Sequence, residues 1–447
     1  MRLLLINPKP RLQQDLYRHN RYANVPPLGL AYLAACTPQH WDVRILDENI
    51  EKMSFENADL VGITSLTCNI PRAYEIASEF RRRRVKTVIG GLHASMLPDE
   101  AQRYADSVIV GEAESIWPQV LRDHERGKLR RRYAGQLTDL QTLPIPRREL
   151  LSKKYALNST IQTSRGCPMR CNFCSVSRFN GGTYRTRPIE SVVDEIESLN
   201  SKIINFVDDN IVGCSKSSSK RAIGLFKEIV NRGLNIRWIG QASVNMAMDP
   251  ELMRWAQKSG CSALFIGIES ADKESLKQMD KDVNIVIGPD KYKEIIDTFH
   301  DHGVGLIGGP IMEKKNDRKD VFDRTVDFIR DSEIDVGQVS PLTPLPGTRL
   351  YERLNRENRL IRTDYPQDWA YYDIARVVFK PRHMTSEELA EGIWHVYQET
   401  AGLYRSLGKS IRALLKTRNL LSAGGTFVAN RGYYNIFKEM QQQQTNF

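Results

Sequence analysis

Residues Thr163–Cys174 read TSRGCPMRCNFC and set Cys167, Cys171 and Cys174 in a CxxxCxxC spacing. The chain has seven cysteines, so three of them crowd into one short loop. Cysteine thiolates hold iron in iron–sulfur clusters. A closed zinc site requires a fourth ligand, and the nearest histidines, His124 and His300, lie far away along the chain. Three thiolates leave one iron of a four-iron cluster open, and an open iron can chelate a small molecule through its amino and carboxylate groups. On spacing alone, zinc, a purely electron-transferring cluster and structural cysteines remain alternatives. The segment Ser159–Ser164 reads as a strand entering a turn at Arg165-Gly166. The loop after a barrel strand is where a barrel keeps its chemistry.

With Phe173 just before the last cysteine, the motif resembles the cluster loop of the radical S-adenosylmethionine (radical SAM) superfamily. The resemblance implies a 4Fe–4S cluster on Cys167, Cys171 and Cys174, with SAM capping the fourth iron. One electron, from a donor such as flavodoxin or ferredoxin, then splits SAM to a 5′-deoxyadenosyl radical.

Downstream, strand-like runs at Ile203–Val207, Ile236–Ile239, Ala263–Ile268, Val304–Ile307 and Gln338–Leu342 alternate with helical patterns near 190–200, 216–232, 250–259, 290–302 and 318–332. With the strand before Cys167 these make six, which fit the (β/α)6 partial barrel that the resemblance implies. Asp208, Asp209, Gln241, Ser243, Gly267 and Glu269 follow or end these strands. By resemblance they line the SAM site with Phe173: acidic groups suit an ammonium, and hydroxyl and amide groups suit a ribose. Asp208 or Asp209 could instead cap the following helix.

Before the cysteine loop, apolar runs at Leu3–Ile6, Val43–Leu46, Val85–Ile89 and Val108–Val110 alternate with helical patterns at Leu28–Cys36, Ala73–Phe80 and Ala101–Tyr104. That alternation predicts a Rossmann-like, doubly wound parallel α/β sheet. Ligands of such sheets sit beyond the carboxyl ends of the strands. There is no GxGxxG, which argues against a dinucleotide. The stretches PPLGLAYLAA (Pro26–Ala35), LDENIE (Leu46–Glu51), GITS (Gly62–Ser65), GGLHAS (Gly90–Ser95) and VGEAE (Val110–Glu114) resemble the cobalamin (B12)-binding domain of B12-dependent radical SAM enzymes. The resemblance puts Asn49, Thr64, Ser65, Gly90, Gly91 and Glu112 at cobalamin. One departure matters: Glu48, Asn49, Ile50 and Glu51 follow Asp47 with no histidine, so cobalamin is expected without histidine ligation from this loop. His93 reads as a hydrogen-bonded loop histidine. A charge run, Arg122–Arg132, and the proline-marked Leu143–Pro146 read as an exposed connector, which divides the chain into 1–145, a barrel at 146–350 and a mainly helical region at 351–447.

The composition, 41% hydrophobic and 26% charged, is that of an ordinary globular protein. The N-terminal MRLLLINPKPR is too short for a signal peptide or membrane span and reads as a buried strand, and a cluster on three thiolates favours the cytoplasm. Cys36, Cys68, Cys214 and Cys261 show no ligand spacing and read as small buried hydrophobes. Two cysteines in the N-terminal part are also too few for the tRNA methylthiotransferases, which carry three more cluster cysteines there.

Of the net charge of +10, much comes from residues 401–447, where seven Lys and Arg face one acidic residue, Glu439. No aromatic residues interleave with the Arg122–Arg132 run, so no nucleic acid is expected. Pro341–Tyr351 (PLTPLPGTRLY) resembles the end of the barrel in the B12 class. Trp369, Tyr371 and Tyr372 form an aromatic cluster that reads as core or as the wall of an apolar pocket. Thr385 or Ser386 caps a helix carrying Leu389, Ile393 and Tyr397. Beyond it, Leu403, Leu407, Ile411, Leu414 and Leu415 form a stripe among basic residues, a basic amphipathic helix expected to pack on the barrel or to meet an anionic membrane surface. The final QQQQ reads as a frayed tail.

The reading implied by these resemblances is a cobalamin-dependent radical SAM C-methyltransferase. The deoxyadenosyl radical takes hydrogen from an unactivated carbon of a hydrophobic metabolite (a lipid, tetrapyrrole or natural product), methylcobalamin supplies the methyl group, and a second SAM restores it. A radical SAM enzyme that forms C–C bonds, cyclises or rearranges without methylating, and a regulator without turnover, are the alternatives.

Overall fold

The computed structural model describes residues 1–13, 25–312 and 317–444. Strands β1 (Arg2–Asn7), β2 (Asp42–Asp47), β3 (Leu60–Ser65), β4 (Lys86–Gly91), β5 (Ser107–Val110) and β6 (Arg132–Ala134) form one sheet in the order β2-β1-β3-β4-β5-β6. Every pairing in it is parallel. Successive side chains of a strand point to opposite faces, and β1 shows the consequence. Its Leu3 and Leu5 pack into one core with Trp41 and Trp117, whereas Leu4 and Ile6 pack into another with Ile63 and Phe80. The sheet is therefore buried on both sides, by helices α1 (Leu28–Ala35), α2 (Ile70–Arg82), α3 (Leu92–Met96), α4 (Pro98–Tyr104) and α5 (Trp117–Glu125). The charge run is mostly exposed, as expected, but it is not a plain connector: Arg122–Glu125 ends α5, and Arg132–Ala134 is edge strand β6, anchored on β5 through buried Tyr133.

The second sheet comprises β7 (Thr160–Ile161), β10 (Ile203–Phe206), β11 (Arg237–Ala242), β12 (Cys261–Glu269) and β13 (Gly305–Met312), closed by β14 (Val336–Gly337) and β15 (Ser340–Pro341). Its pairings are also parallel. The expected last strand at Gln338–Leu342 is thus two short pieces, each pairing with β13. A separate antiparallel ribbon, β8 (Ser164–Arg165) with β9 (Arg185–Thr186), ties together the two ends of the cysteine loop. That loop also contains α6 (Ser175–Phe179).

The expected helices appear as α7 (Ile189–Ser198), α8 (Lys216–Asn231), α9 (Pro250–Lys258), α12 (Tyr292–Asp301) and α13 (Val321–Asp331). Two short helices that the pattern did not predict, α10 (Lys273–Gln278) and α11 (Asp282–Ile287), fold the chain after β12 against the cysteine loop, where Met279 O accepts from Asn172 N at 3.2 Å.

After α14 (Arg349–Arg356) the chain returns to the N-terminal sheet. Trp369 and Tyr372 are buried in the core that contains Phe80, so the aromatic cluster is core and not a pocket wall. Helix α15 (Ser386–Ala401) is capped by Thr385, whose side chain accepts from Glu388 N, and buries Leu389, Ile393 and Tyr397 in the barrel core. Helix α16 (Leu403–Thr417) reverses the expected packing: Ser406, Lys409, Ala413 and Thr417 are buried, and the leucine stripe is exposed. The glutamine run is not a frayed tail up to Gln444 but the end of α17 (Leu420–Gln444). Among the described residues no helix is long and apolar enough to cross a membrane.

Candidate functional site

The carboxyl ends of the two sheets face a shared cleft of about 480 Å³. Gly62, Ile63 and Thr64 of β3, Gly90 and Gly91 of β4, and Gly111 and Glu112 after β5 line one side. Gln162, Arg165, Val207 and Asp209 from the barrel, with Val176 and Phe179 of α6, line the other. Gly91 has φ +98°, and a Cβ there would lie 2.7 Å from the backbone of Ser65. Only glycine holds that conformation without strain, and its missing Cβ lets β4 run this close to the end of β3. No histidine is among the described residues that line the cleft.

The cysteine loop hangs between β8 and β9, with Cys171 buried and Cys167 and Cys174 half-buried. Cys174 N donates to Cys171 O at 3.3 Å, and Cys174 also precedes the first turn of α6. Burial pushes the Cys167 thiol up to about 11 and that of Cys171 up to about 12. Cys171 and Cys174 also line a second, open cleft of about 600 Å³, rimmed by Arg170, Arg178 and Arg349 together with Asp280 and Asp282. Among the described residues no three His, Cys, Asp or Glu side chains converge closely enough for a single metal ion. Of the other cysteines, Cys261 is buried, whereas Cys36, Cys68 and Cys214 are only half-buried.

The polar residues at the barrel strand ends divide into those used by the fold and those facing open space. Asp208 is fully buried and accepts from Thr163 N at 3.1 Å, Thr163 Oγ1 at 2.9 Å and Ser164 Oγ, which pins the first barrel strand to the second. Asp209 accepts from Gly166 N at 3.1 Å and lines the shared cleft. Neither caps a helix: α8 is capped by Ser215, which accepts from Ser218 N. Gln241 is exposed at the end of β11. Ser243 is buried, accepts from Asn210 Nδ2 at 3.0 Å and donates to Asn245 Oδ1. The β12 register shifts between Ile266 and Glu269, and Glu269 has φ 59°, a bulge that re-aims its side chain. Its carboxylate accepts from Lys281 Nζ at 2.7 Å, and a Cβ on Gly267 would lie 2.6 Å from the same Nζ. Burial opposes the Lys281 charge, but Glu269 outweighs it and raises the Lys281 pKa. Phe173 is half-buried against the barrel core.

On the other side, Thr64, Gly90, Gly91 and Glu112 line the cleft, and Ser65 and Asn49 do not. Ser65 Oγ donates to Gly90 O at 2.8 Å and so braces the glycine turn. Asn49, beyond edge strand β2, donates from Nδ2 to Asp47 Oδ1 at 3.0 Å. His93 is buried between Thr67 and Glu100, with Trp369 at 5.1 Å, away from the cleft.

Sequence reasoning missed the ion pairs that join the two halves. Arg165, the residue before Gly166, reaches Glu112 at 3.1 Å and Glu114 at 2.6 Å, with its guanidinium 5.6 Å from the Tyr32 ring. Arg185, at the other end of the loop, also pairs with Glu112. Burial acts against the Glu112 charge, but the Arg185 hydrogen bond and the Arg165 charge hold its pKa below the usual carboxylate range. The adjacency of Arg165 and Arg185 to the loop was the available signal.

The B12 binding domain model matches residues 15–121, and the Radical SAM superfamily model matches residues 161–329. The chain is 32% identical over 427 residues to the bacteriochlorophyllide d C-12(1)-methyltransferase of Chlorobaculum tepidum, an alignment that covers 91% of this chain and 90% of that protein. The chain belongs to the B12-binding radical SAM methyltransferases. A hopanoid C-2 methylase of Rhodopseudomonas palustris is 29% identical over 359 residues, 76% of this chain and 66% of that protein. The fold of this family member is that of TsrM, a radical SAM methyltransferase of Kitasatospora setae solved with cobalamin and a 4Fe–4S cluster. The TM-score is 0.72 at 16% identity, over 99% of each chain.

The residues of this radical SAM chain fit both groups that its family implies. Three free cysteines on one loop, with no fourth protein ligand grouped with them among the described residues, suit a cluster with one iron left free. The glycine-edged cleft, with Leu28, Leu33, Ile63 and Val88 also lining it, suits a broad, largely apolar macrocycle.

Proposed function

We propose that this enzyme methylates an unactivated carbon of a hydrophobic metabolite, a lipid or tetrapyrrole or similar natural product, with residues 1–145 holding cobalamin, 146–350 the cluster and SAM, and 351–447 supporting both. The observation that carries this reading is the single cleft lined jointly by the glycine ends of β3–β5 and by the turn that begins the cysteine loop. The relatives that act on a bacteriochlorophyllide and a hopanoid support a lipophilic substrate. When bound, the cluster and SAM supply a carbon-centred oxidant, and methylcobalamin supplies the methyl group.

The chain's own residues then have distinct tasks. Cys167, Cys171 and Cys174 hold the cluster. Asp209, Gln241, Ser243, Gly267 and Glu269, with Phe173, face SAM, and buried Asp208 keeps the strand ends in register behind them. Thr64, Gly90 and Gly91 bear on cobalamin, with Ser65, Asn49 and Glu112 shaping the loops around it. Cobalt would be held there without a histidine from the described residues of this wall. Arg170 and Arg178, on a rim that also carries Asp282 and the Arg349–Asp280 pair, suit an acidic electron carrier such as flavodoxin or ferredoxin. A cluster on three thiolates suits the cytoplasm.

The test is anaerobic reconstitution with iron, sulfide and hydroxocobalamin, followed by SAM, a reductant and a panel of tetrapyrroles and polycyclic lipids. Methylated product, with S-adenosylhomocysteine and 5′-deoxyadenosine formed together, is the expected result. Deoxyadenosine with an unmethylated product would transfer the chain to the non-methylating radical reactions.

A further inference from the structure

Helix α16 has its two faces reversed. Leu403, Tyr404, Leu407, Ile411 and Leu415 recur at helical spacing, and they are exposed, Tyr404 at 86% and Leu415 at 73%. Its 15 residues present this stripe over about 22 Å. The opposite face is spent on the protein. Ser410 Oγ donates to Ala423 O of α17 at 2.8 Å, Lys409 Nζ meets Asn430 at 3.5 Å, and Lys416 binds Asp297 at 3.1 Å and also Glu333. The helix cannot roll its leucines inward without breaking these bonds. A contiguous exposed apolar face of this kind marks an interaction surface.

Charge identifies the occupant. No Asp or Glu occurs from residue 400 to 438, and Arg405 and Arg418 are exposed beside the stripe. A second copy meeting this face across a two-fold axis would bring the same arginines together. A spanning role is excluded for the described helices, since none is long and apolar enough. An apolar stripe with a cationic border and no acid fits a helix lying in the headgroup region of a bilayer, its tyrosine at the interface.

We propose that α16 docks the enzyme on an anionic lipid surface, with the stripe in the acyl boundary and Arg405 and Arg418 on headgroup phosphates. The inference stands on the helix alone and does not depend on the methylation reading. Docking would place the enzyme where a lipophilic substrate is dissolved.

The full-length reconstituted protein is floated with phosphatidylglycerol-containing vesicles and with pure phosphatidylcholine vesicles. It is expected to float with the former, weakly with the latter, and less in high salt. Ile411→Glu with Leu415→Glu should abolish flotation. Arg405→Gln and Arg418→Asn, the latter tolerant of its left-handed backbone at φ 52°, should each cut anionic-vesicle binding about fivefold. Each variant is checked for unchanged far-UV circular dichroism and cluster absorbance, which separates lost docking from lost folding. Wild type that floats with neither vesicle overturns the proposal. So does wild type that dimerises by sedimentation equilibrium and becomes monomeric in the double glutamate variant, because the stripe is then a subunit interface.

Discussion

The two sheets meet one cleft with opposite materials. The N-terminal sheet offers mainly glycines and backbone: Gly62, Gly90, Gly91 and Gly111 shape the space, and its carboxylates, Glu112 and Glu114, are paired with Arg165. The barrel offers functional groups: Arg165 and Asp209 line the cleft, Cys171 and Cys174 open on the neighbouring second cleft, and Glu269 pairs with Lys281 behind them. A surface made of glycine binds by shape and fails when a side chain is added. A surface made of functional groups fails when one is removed, whatever happens to its shape.

The strongest test of this contrast removes a group from the barrel side. Cys171→Ala should eliminate the cluster absorbance and SAM cleavage while circular dichroism stays native, because one lost Sγ leaves the barrel core unchanged. Retention of bound iron by that variant would show that the loop is not the ligand set. Next in size is the seam between the two sides. Arg165 is buried between Glu112 and Glu114, and Arg165→Met leaves half-buried Glu114 without its partner and buried Glu112 with Arg185 alone. Breaking a buried pair in this way costs about 3–5 kcal/mol. A lowered midpoint in urea, read by tryptophan fluorescence, is the measurement, and an unchanged midpoint would mean that the two halves hold together without this arginine.

Adding a side chain to the glycine wall is the smaller, complementary perturbation. Gly91 lies at φ 98° and ψ −172°, a region left almost entirely to glycine. Gly91→Ala should cost about 1–3 kcal/mol and reduce the cobalt retained after desalting, with the iron content unchanged. Equal loss of both metals would mean global unfolding and would erase the distinction between the two walls.

How far the sequence revealed these features follows the same division. The cysteine spacing and the alternation of apolar runs are local, so the loop, both parallel sheets and most helices of the barrel could be read directly. Pairings between distant residues could not. Glu112 and Arg165 are 53 positions apart, and nothing near either one names the other. Lys281 sits in the short link between α10 and α11, whose function appears only once it folds back on Glu269. The charged Arg132 was legible as polar, yet its neighbour Tyr133 is what anchors an edge strand. Helix α16 shows a different limit. Periodicity located its stripe, but a stripe is equally a core face or a docking face, and only the fold reports that Ser406, Lys409 and Thr417 are the buried side.

The last test concerns that buried side, where a lysine stands in the interior. Burial first, and the nearby Arg412 charge second, lower the Lys409 pKa to about 7 from an ordinary 10.5; Asp335 opposes them, and Arg405 adds to the lowering. In the unfolded chain Lys409 stays protonated up to its ordinary pKa, so between about pH 7 and 10.5 the unfolded state binds more protons than the folded one. Stability therefore carries the full cost of this lysine below the folded pKa and recovers as the pH rises towards the unfolded value. Lys409→Met should raise the thermal midpoint at neutral pH and flatten its rise between pH 7 and 10, leaving cluster and cobalt content unchanged. If the wild-type midpoint does not rise over that window relative to the variant, Lys409 keeps its charge in the fold, held by Asn430 and Asp335. The buried face of α16 would then tolerate charge as readily as the barrel's end of the cleft does.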